Sequence, residues 1–233
     1  MSLSHGKTLV TEGYGRQQCD LPPFEEGRID PREWFAAPGR PLEIEIGSGK
    51  GTFLVQQAPL RAAVNYLGLE KSLEFYRYAA DRVRRRGLDN VRLLRTDAAE
   101  FLRFWCGDGV AAAVHLYFAD PWPKKRHHKR RIIQDWVLGD LHRILGPAGE
   151  LRLVTDHEEL WAWYVQCAHR HAHLFEPRPF EPPDSAAPGE IVGSNFERKY
   201  RREGRPLYAM TLVKKSDEAT ERRSDEGVAR RTR

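Results

Sequence analysis

Cysteine is scarce in this chain of 233 residues. There are three, Cys19, Cys106 and Cys167, far apart and with no Cys-x-x-Cys pair. That excludes a disulfide framework and a zinc site built on cysteine pairs, and it fits a reducing compartment. Long apolar runs are missing too. No eighteen consecutive apolar residues occur, so no transmembrane helix is expected. Residues 1–15 (MSLSHGKTLVTEGYG) lack the apolar core of a secretory signal. Together these absences predict a cytoplasmic protein with no membrane partner. His169, His171 and His173 invite a metal reading, because His169 and His173 share a helical face. No third ligand stands near them, and solvated histidines at a helix end are the plainer reading.

What is present is a globular composition, 40% hydrophobic and 30% charged. The length suits one large α/β domain with a substantial core. The net charge of +5 is unevenly spread. Residues 124–131 read KKRHHKRR, six Lys or Arg and two His in eight positions. A solvated charge run is the bland reading. A polyanion such as nucleic acid is the other, because each phosphate contact releases condensed counterions.

Residues 1–33 carry little periodicity and read as a loosely ordered arm, followed by a domain over 34–213. From about residue 41, strand-like runs alternate with helix-like runs. The strands are LEIEI (42–46), VNYLGLE (64–70), VRLLRT (91–96), AAAVHLYF (111–118) and LRLVT (151–155). Helices are expected from 51, over 72–86, from 98, over 132–145 and over 157–172, with Gly87 and then Gly146 and Pro147 as stops. This alternation indicates a parallel sheet covered on both faces. A long loop over 176–190, a basic helix over 195–203 and a strand over 207–213 follow, and the last strand closes an antiparallel finish with one near 174–180. Residues 214–233, with seven basic and five acidic residues and almost nothing apolar, read as a disordered tail.

The first strand runs into Glu45, Ile46, Gly47, Ser48, Gly49, Lys50 and Gly51. A phosphate-cradling loop needs glycine at 44, where Ile44 stands, and would put Glu45 against a triphosphate. A dinucleotide loop wants its third glycine one residue later than Gly51. The remaining reading is a loop for S-adenosylmethionine, whose cationic sulfonium and ammonium suit an acid. Glu70 ends the second strand, 25 residues after Glu45, where it can accept both ribose hydroxyls; an ordinary surface acid is the alternative. Asp97 ends the third strand beside the place for an adenine edge, and equally begins a capping box with Glu100.

The fourth strand delivers DPWP (120–123) directly into the basic run. Ligands of open parallel sheets sit beyond the carboxyl ends of the strands, so Asp120 belongs beside the reactive methyl. A loop-opening Asx turn for Asp120 and core filling for Trp122 are the alternatives. The basic run leaves the same edge, where a polyanionic substrate would dock.

The segments EIGSGKG, GLEK, DPWPKKRHHKRR, VTDHEEL and SNFERKY, in this order, resemble the bacterial tRNA (guanine-N7-)-methyltransferases over residues 40–213. The resemblance implies a Rossmann-like class I methyltransferase fold: a mostly parallel seven-stranded sheet, helices on both faces and an antiparallel last strand. It implies methylation of the variable-loop guanine at tRNA position 46. It implies an S-adenosylmethionine site of Glu45, Gly47, Gly49, Gly51, Glu70, Asp97 and Asp120, with Asp120 catalytic, and substrate contacts from Lys124, Asp156, Ser194, Asn195, Phe196 and Glu197. Ser194 stands where the family usually has Thr and keeps the hydroxyl. Asp156 also fits a plain capping box with Glu159. Lys125, Arg126, Lys129, Arg130 and Arg131 are expected on the RNA backbone, with no metal, no protein partner, and a monomer or homodimer. Guanine N7 already carries a lone pair, so transfer needs positioning and electrostatics rather than a base. Asp120 or Glu197 would hold the guanine N1–H and N2–H₂ edge. A non-catalytic RNA-binding protein on a relic fold would lack turnover. A protein or small-molecule methyltransferase would lack steeply salt-dependent RNA binding.

Overall fold

The strand at 42–46 alternates Leu42, Ile44 and Ile46 with Glu43 and Glu45, yet four of its five residues are buried, as expected of a central parallel strand covered on both sides. The structure is a computed structural model that describes residues 8–216. The charged tail expected from 214 therefore lies outside the described residues except for its first three.

Eight strands form one sheet. They are β1 (Gly15–Gln17), β2 (Leu42–Ile46), β3 (Asn65–Glu70), β4 (Val91–Arg95), β5 (Ala111–Tyr117), β6 (Leu145–Thr155), β7 (Phe175–Arg178) and β8 (Tyr208–Lys214). The order is β1-β4-β3-β2-β5-β6-β8-β7. Pairs from β1 through β6 are parallel, and β8 runs antiparallel to both β6 and β7. The chain order reverses between β2 and β5, which opens a crevice at their carboxyl ends.

The helices are α1 (Thr52–Gln57), α2 (Leu73–Arg85), α3 (Ala98–Glu100), α4 (Asp135–Ile144), α5 (Glu158–Arg170) and α6 (Asn195–Arg202). Phe53, Leu54, Tyr76 and Val83 of α1 and α2 cover one sheet face with Tyr66 and Leu93. Val137, Leu141, Leu160 and Tyr164 of α4 and α5 cover the other with Ile44, Leu67, Leu116 and Leu153. Each fully buried Leu contributes roughly 1.5–3 kcal/mol. No helix among the described residues is long and apolar enough to cross a membrane.

One expectation needs correction. The sheet has an eighth strand, and it comes from the stretch read as a loose arm. Gly15–Gln17 pairs in parallel with Leu93–Arg95, and Leu21 and Ile29 pack on the core. Three residues carry no readable alternation, and the pairing partner is nearly eighty positions away. The expected stop at Gly146 and Pro147 holds, since α4 ends at Ile144. The chain turns straight from α4 into β6 at Leu145, and the extra residues bulge out between Ala111 and Ala113 of the partner strand.

Candidate functional site

Five acidic residues leave the carboxyl ends of five adjacent parallel strands. In sheet order they are Asp97 after β4, Glu70 closing β3, Glu45 near the end of β2, Asp120 after β5 and Asp156 after β6. Residues far apart in sequence thus reach one edge of the sheet.

Gly47, Gly49 and Gly51 follow β2 with φ of 73°, 53° and 65°. All three are left-handed, which glycine adopts without steric cost. Gly51 has a second reason: a Cβ there would stand 3.1 Å from the Ala79 Cβ of α2. The Gly49 N–H donates to Glu70 Oε2 at 2.8 Å, and the Ser72 N–H donates to Glu70 Oε1 at 2.7 Å. Glu70 thereby ties the glycine loop to the start of α2. It is no ordinary surface acid.

Glu45 is 6% exposed, and its Oε2 is buried with no hydrogen-bond partner among the described residues. Burial, and then the charge of Glu70, push its pKa well above the usual carboxylate range. A buried carboxyl with an idle oxygen beside a second carboxylate is a place prepared for a cation. Asp97 takes the capping role. Its Oδ1 accepts from the Ala99 and Glu100 N–H groups at 3.0 and 3.4 Å, and its Oδ2 meets Lys71 Nζ at 2.9 Å. Burial opposes ionisation, but the Lys71 bond and charge and the two N–H donors outweigh it and hold the pKa below its ordinary value.

Asp120 is exposed, and two residues in left-handed backbone conformations flank it, Phe118 (φ 55°) and Trp122 (φ 42°). Non-glycine residues in this region are strained and cluster at functional sites. The Phe118 N–H donates to Val154 O at 2.8 Å, and Arg131 Nε donates to Pro121 O at 2.9 Å, which holds the turn from both sides. Trp122 is half-buried rather than core filler. Its ring meets His127 edge-on at 5.9 Å and lies 4.9 Å from the Arg130 Cζ.

Lys124, Lys125, Arg126, Lys129 and Arg130 are exposed along a short ridge, Lys125–Arg130, that leaves this turn. Arg131 departs from the expectation. Its side chain is 1% exposed, donates to Pro121 O and Glu159 Oε1, and stacks 5.2 Å over Trp163. It anchors the ridge to α5 and is not available to a phosphate.

Asp156 pairs with Arg205 Nη1 at 2.8 Å and does not cap α5, which His157 caps instead. Ser194 caps α6 through its hydroxyl, which accepts from the Glu197 N–H at 3.1 Å. Asn195 and Phe196 are exposed, Phe196 at 56%. Glu197 is the second correction. It is fully buried and accepts from the Ile191, Val192 and Gly193 N–H groups and from Arg201 Nε, all within 2.9 Å. Four donors fill the acceptor sites of one carboxylate, so Glu197 shapes the loop and has no capacity left for a base edge.

Sequence reasoning missed an aromatic cluster at the same edge. Phe118, Phe196 and Tyr200 lie with ring centroids 5.6–6.4 Å apart, and Arg205 Cζ sits 4.5 Å over Tyr200. The Tyr200 pKa is raised by burial and then by Asp156, with Arg205 opposing and Glu203 and Asp120 adding to it, so this ring feels the charge of two neighbouring acids of the row. The spacing of Phe196 and Tyr200, four apart on an expected helix, was the available signal. Among the described residues no group of three His, Cys, Asp or Glu could hold a metal ion. A cavity of about 410 Å³ lined by Ala148, His173, Glu176 and Lys215 lies at the opposite end of the sheet, away from the acids.

Comparison with known proteins agrees with this geometry. Residues 39–210 match a family described as "Putative methyltransferase". The chain is 40% identical over 155 residues to a tRNA (guanine-N(7)-)-methyltransferase of Corynebacterium diphtheriae, spanning 66% of this chain and 60% of that one. It is 31% identical over 197 residues to the enzyme of that name from Geobacillus kaustophilus, spanning 84% and 89%. Among solved structures, an aminoglycoside resistance methyltransferase superposes with a TM-score of 0.53 at 19% identity, covering 76% of this chain and 88% of the other, which shows the fold alone. A doubly covered sheet of this strand order, an acidic row beyond a glycine loop, and relatives matched along most of their length lead to one conclusion: the chain belongs to the bacterial tRNA (guanine-N7-)-methyltransferase family.

Proposed function

We propose that this protein methylates guanine N7 in tRNA, at position 46 of the variable loop, with S-adenosylmethionine as donor. The observation that carries the reading is the row of acids across the β2/β5 crevice with an exposed basic ridge leaving its edge. The donor supplies an electrophilic methyl on a cationic sulfur. The site suits it: Glu45 keeps an idle buried oxygen, and the left-handed glycine backbone lets a ligand lie close. Glu45, Gly47, Gly49, Gly51, Glu70 and Asp97 would hold the donor, and Glu70 positions the loop as well.

Asp120 takes the catalytic place. Its exposed carboxylate, held on a strained turn, can accept from the guanine N1–H and N2–H₂ edge and offset the positive charge that N7 methylation creates. Glu197, with its oxygens already filled, acts by holding residues 191–193. Phe118, Phe196 and Tyr200 offer faces on which an unstacked base can lie. Lys124 and Asp156 would complete the guanine pocket with Ser194, Asn195 and Phe196. Lys125, Arg126, Lys129 and Arg130 would position the RNA through phosphates without reading sequence.

Incubation with labelled S-adenosylmethionine and unmodified tRNA, followed by nucleoside analysis, is expected to yield 7-methylguanosine. Label in another nucleoside, or none, overturns the reading. Asp120→Ala should lose most turnover and keep tRNA affinity; turnover equal to wild type would remove Asp120 from its role.

A further inference from the structure

A second group of cations lies along α2 on the glycine-loop side of the sheet, behind the crevice and away from the ridge. Tyr78, Arg82 and Arg86 repeat at four-residue spacing along α2 and just past its end, so they share one stripe. Glu74 heads the same stripe two turns before Arg82, about 12 Å along the axis. Arg82 Nη1 donates to Lys50 O at 3.1 Å and to Thr52 Oγ1 at 3.3 Å, which brings its guanidinium against the backbone of the glycine loop. Arg86 Nη1 reaches Val55 O at 3.5 Å. Lys50 and Arg86 are exposed, and Arg82 and Tyr78 are half-buried.

Two other arginines of α2, Arg84 and Arg85, both pair with Asp81. Arg82 and Arg86 have no acidic partner among the described residues. The Arg82 guanidinium is held below its ordinary pKa by burial and then by the like charges of Arg86 and Arg85. Arginines near a helix carboxyl end do complement the helix dipole. That effect does not require two guanidiniums without acidic partners to share one stripe and repel each other. Mutually repelling cations on one exposed stripe are an arrangement that a phosphate backbone relieves.

The position supports the same partner. Helix α2 packs over β3 and β4, whereas the ridge at 125–130 leaves β5. The strands from β4 to β5 are three spacings apart, roughly 14 Å, and four of the five acids, Asp97, Glu70, Glu45 and Asp120, follow the strands across this span. An RNA whose target base enters the crevice has backbone on both sides of it.

We infer that Tyr78, Arg82, Arg86 and Lys50 form a second RNA-docking patch that takes phosphates of the tRNA body while the ridge holds the segment beside the target base. The inference rests on the tRNA reading above. The test uses the full chain as wild type, Arg86→Gln, and the double variant R82Q/R86Q. Binding of unmodified tRNA is measured across a salt series, and S-adenosylmethionine binding and Tm are measured alongside. The double variant is expected to bind tRNA roughly 3–10-fold more weakly, with a log K against log salt slope shallower by about 1.5, and Arg86→Gln is the variant expected to bind the donor as wild type does. Arg86→Gln, which leaves the Arg82 contacts to the loop in place, should show about half of the slope change. Wild-type affinity and slope in both variants overturn the patch. So does a loss of Tm or donor affinity with the RNA salt slope unchanged, which makes the residues structural. Failure of the tRNA reading is distinguishable, because wild type itself would then neither bind nor methylate tRNA.

Discussion

At the scale of single residues, burial decides what each ionisable group can do. Glu45 is raised and Asp97 lowered, although both are partly or wholly enclosed carboxyls at strand ends. The difference is the company they keep: Glu45 faces another carboxylate and has an idle oxygen, whereas Asp97 has Lys71 and two backbone donors. For Glu45 the sign of the pH effect follows from linkage. Its folded pKa lies above its unfolded one, so the stability tied to it is full below the unfolded value and is lost as pH rises through the folded value. Without donor, Glu45→Gln should therefore raise Tm at pH 8 by several degrees, from about 1–3 kcal/mol of relieved charge burial. The two melting curves should converge near pH 4. The same variant should bind S-adenosylmethionine more weakly at pH 8. A Gln variant that melts below wild type at pH 8 would contradict the role assigned to burial.

At the scale of elements, the segment from Ile191 to Arg205 behaves as one folded unit. Glu197 gathers three consecutive N–H groups before its own helix and Arg201 one turn further along it, and Arg205 returns to clamp Asp156 and Tyr200. Glu197→Ala leaves three N–H groups without an acceptor, two of them on the buried residues Val192 and Gly193. The expected cost is about 3 kcal/mol or more, with a Tm lower by roughly 6–12 °C. Faster amide exchange at residues 191–193 and a raised KM for tRNA should accompany it. If thermal melting and exchange both match wild type, the hydrogen bonds of Glu197 do not support the loop.

At the scale of the whole molecule, charge is divided between holding the fold and meeting a partner. Replacing Lys125, Arg126, Lys129 and Arg130 with Gln should flatten the salt dependence of tRNA binding by about 0.7–0.9 for each phosphate that is no longer neutralised, with Tm unchanged. Arg131→Ala should do the reverse, lowering Tm because Pro121 O and Glu159 lose a buried donor. Equal Tm losses in the two variants would erase the distinction between ridge and anchor.

Much of this was legible in the chain itself. Strands β2 to β6, the helices between them, the glycine loop and the acids after each strand follow from local patterns, because periodicity and loop glycines are properties of neighbours in sequence. So does the family resemblance carried by DPWPKKRHHKRR and SNFERKY. Three features needed the folded molecule. Gly15–Gln17 became a strand only through an edge offered by β4. In a run of eight basic and histidine residues nothing local distinguishes Arg131, and its burial was decided by Trp163 and Glu159 arriving from α5. Glu197 looked like a free carboxylate until three amides of the preceding loop closed on it. The sequence determined which groups could carry charge and where regular structure would form. Tertiary packing alone decided which of those charges would be spent inside the protein, because desolvation and hydrogen-bond saturation depend on neighbours that are distant along the chain.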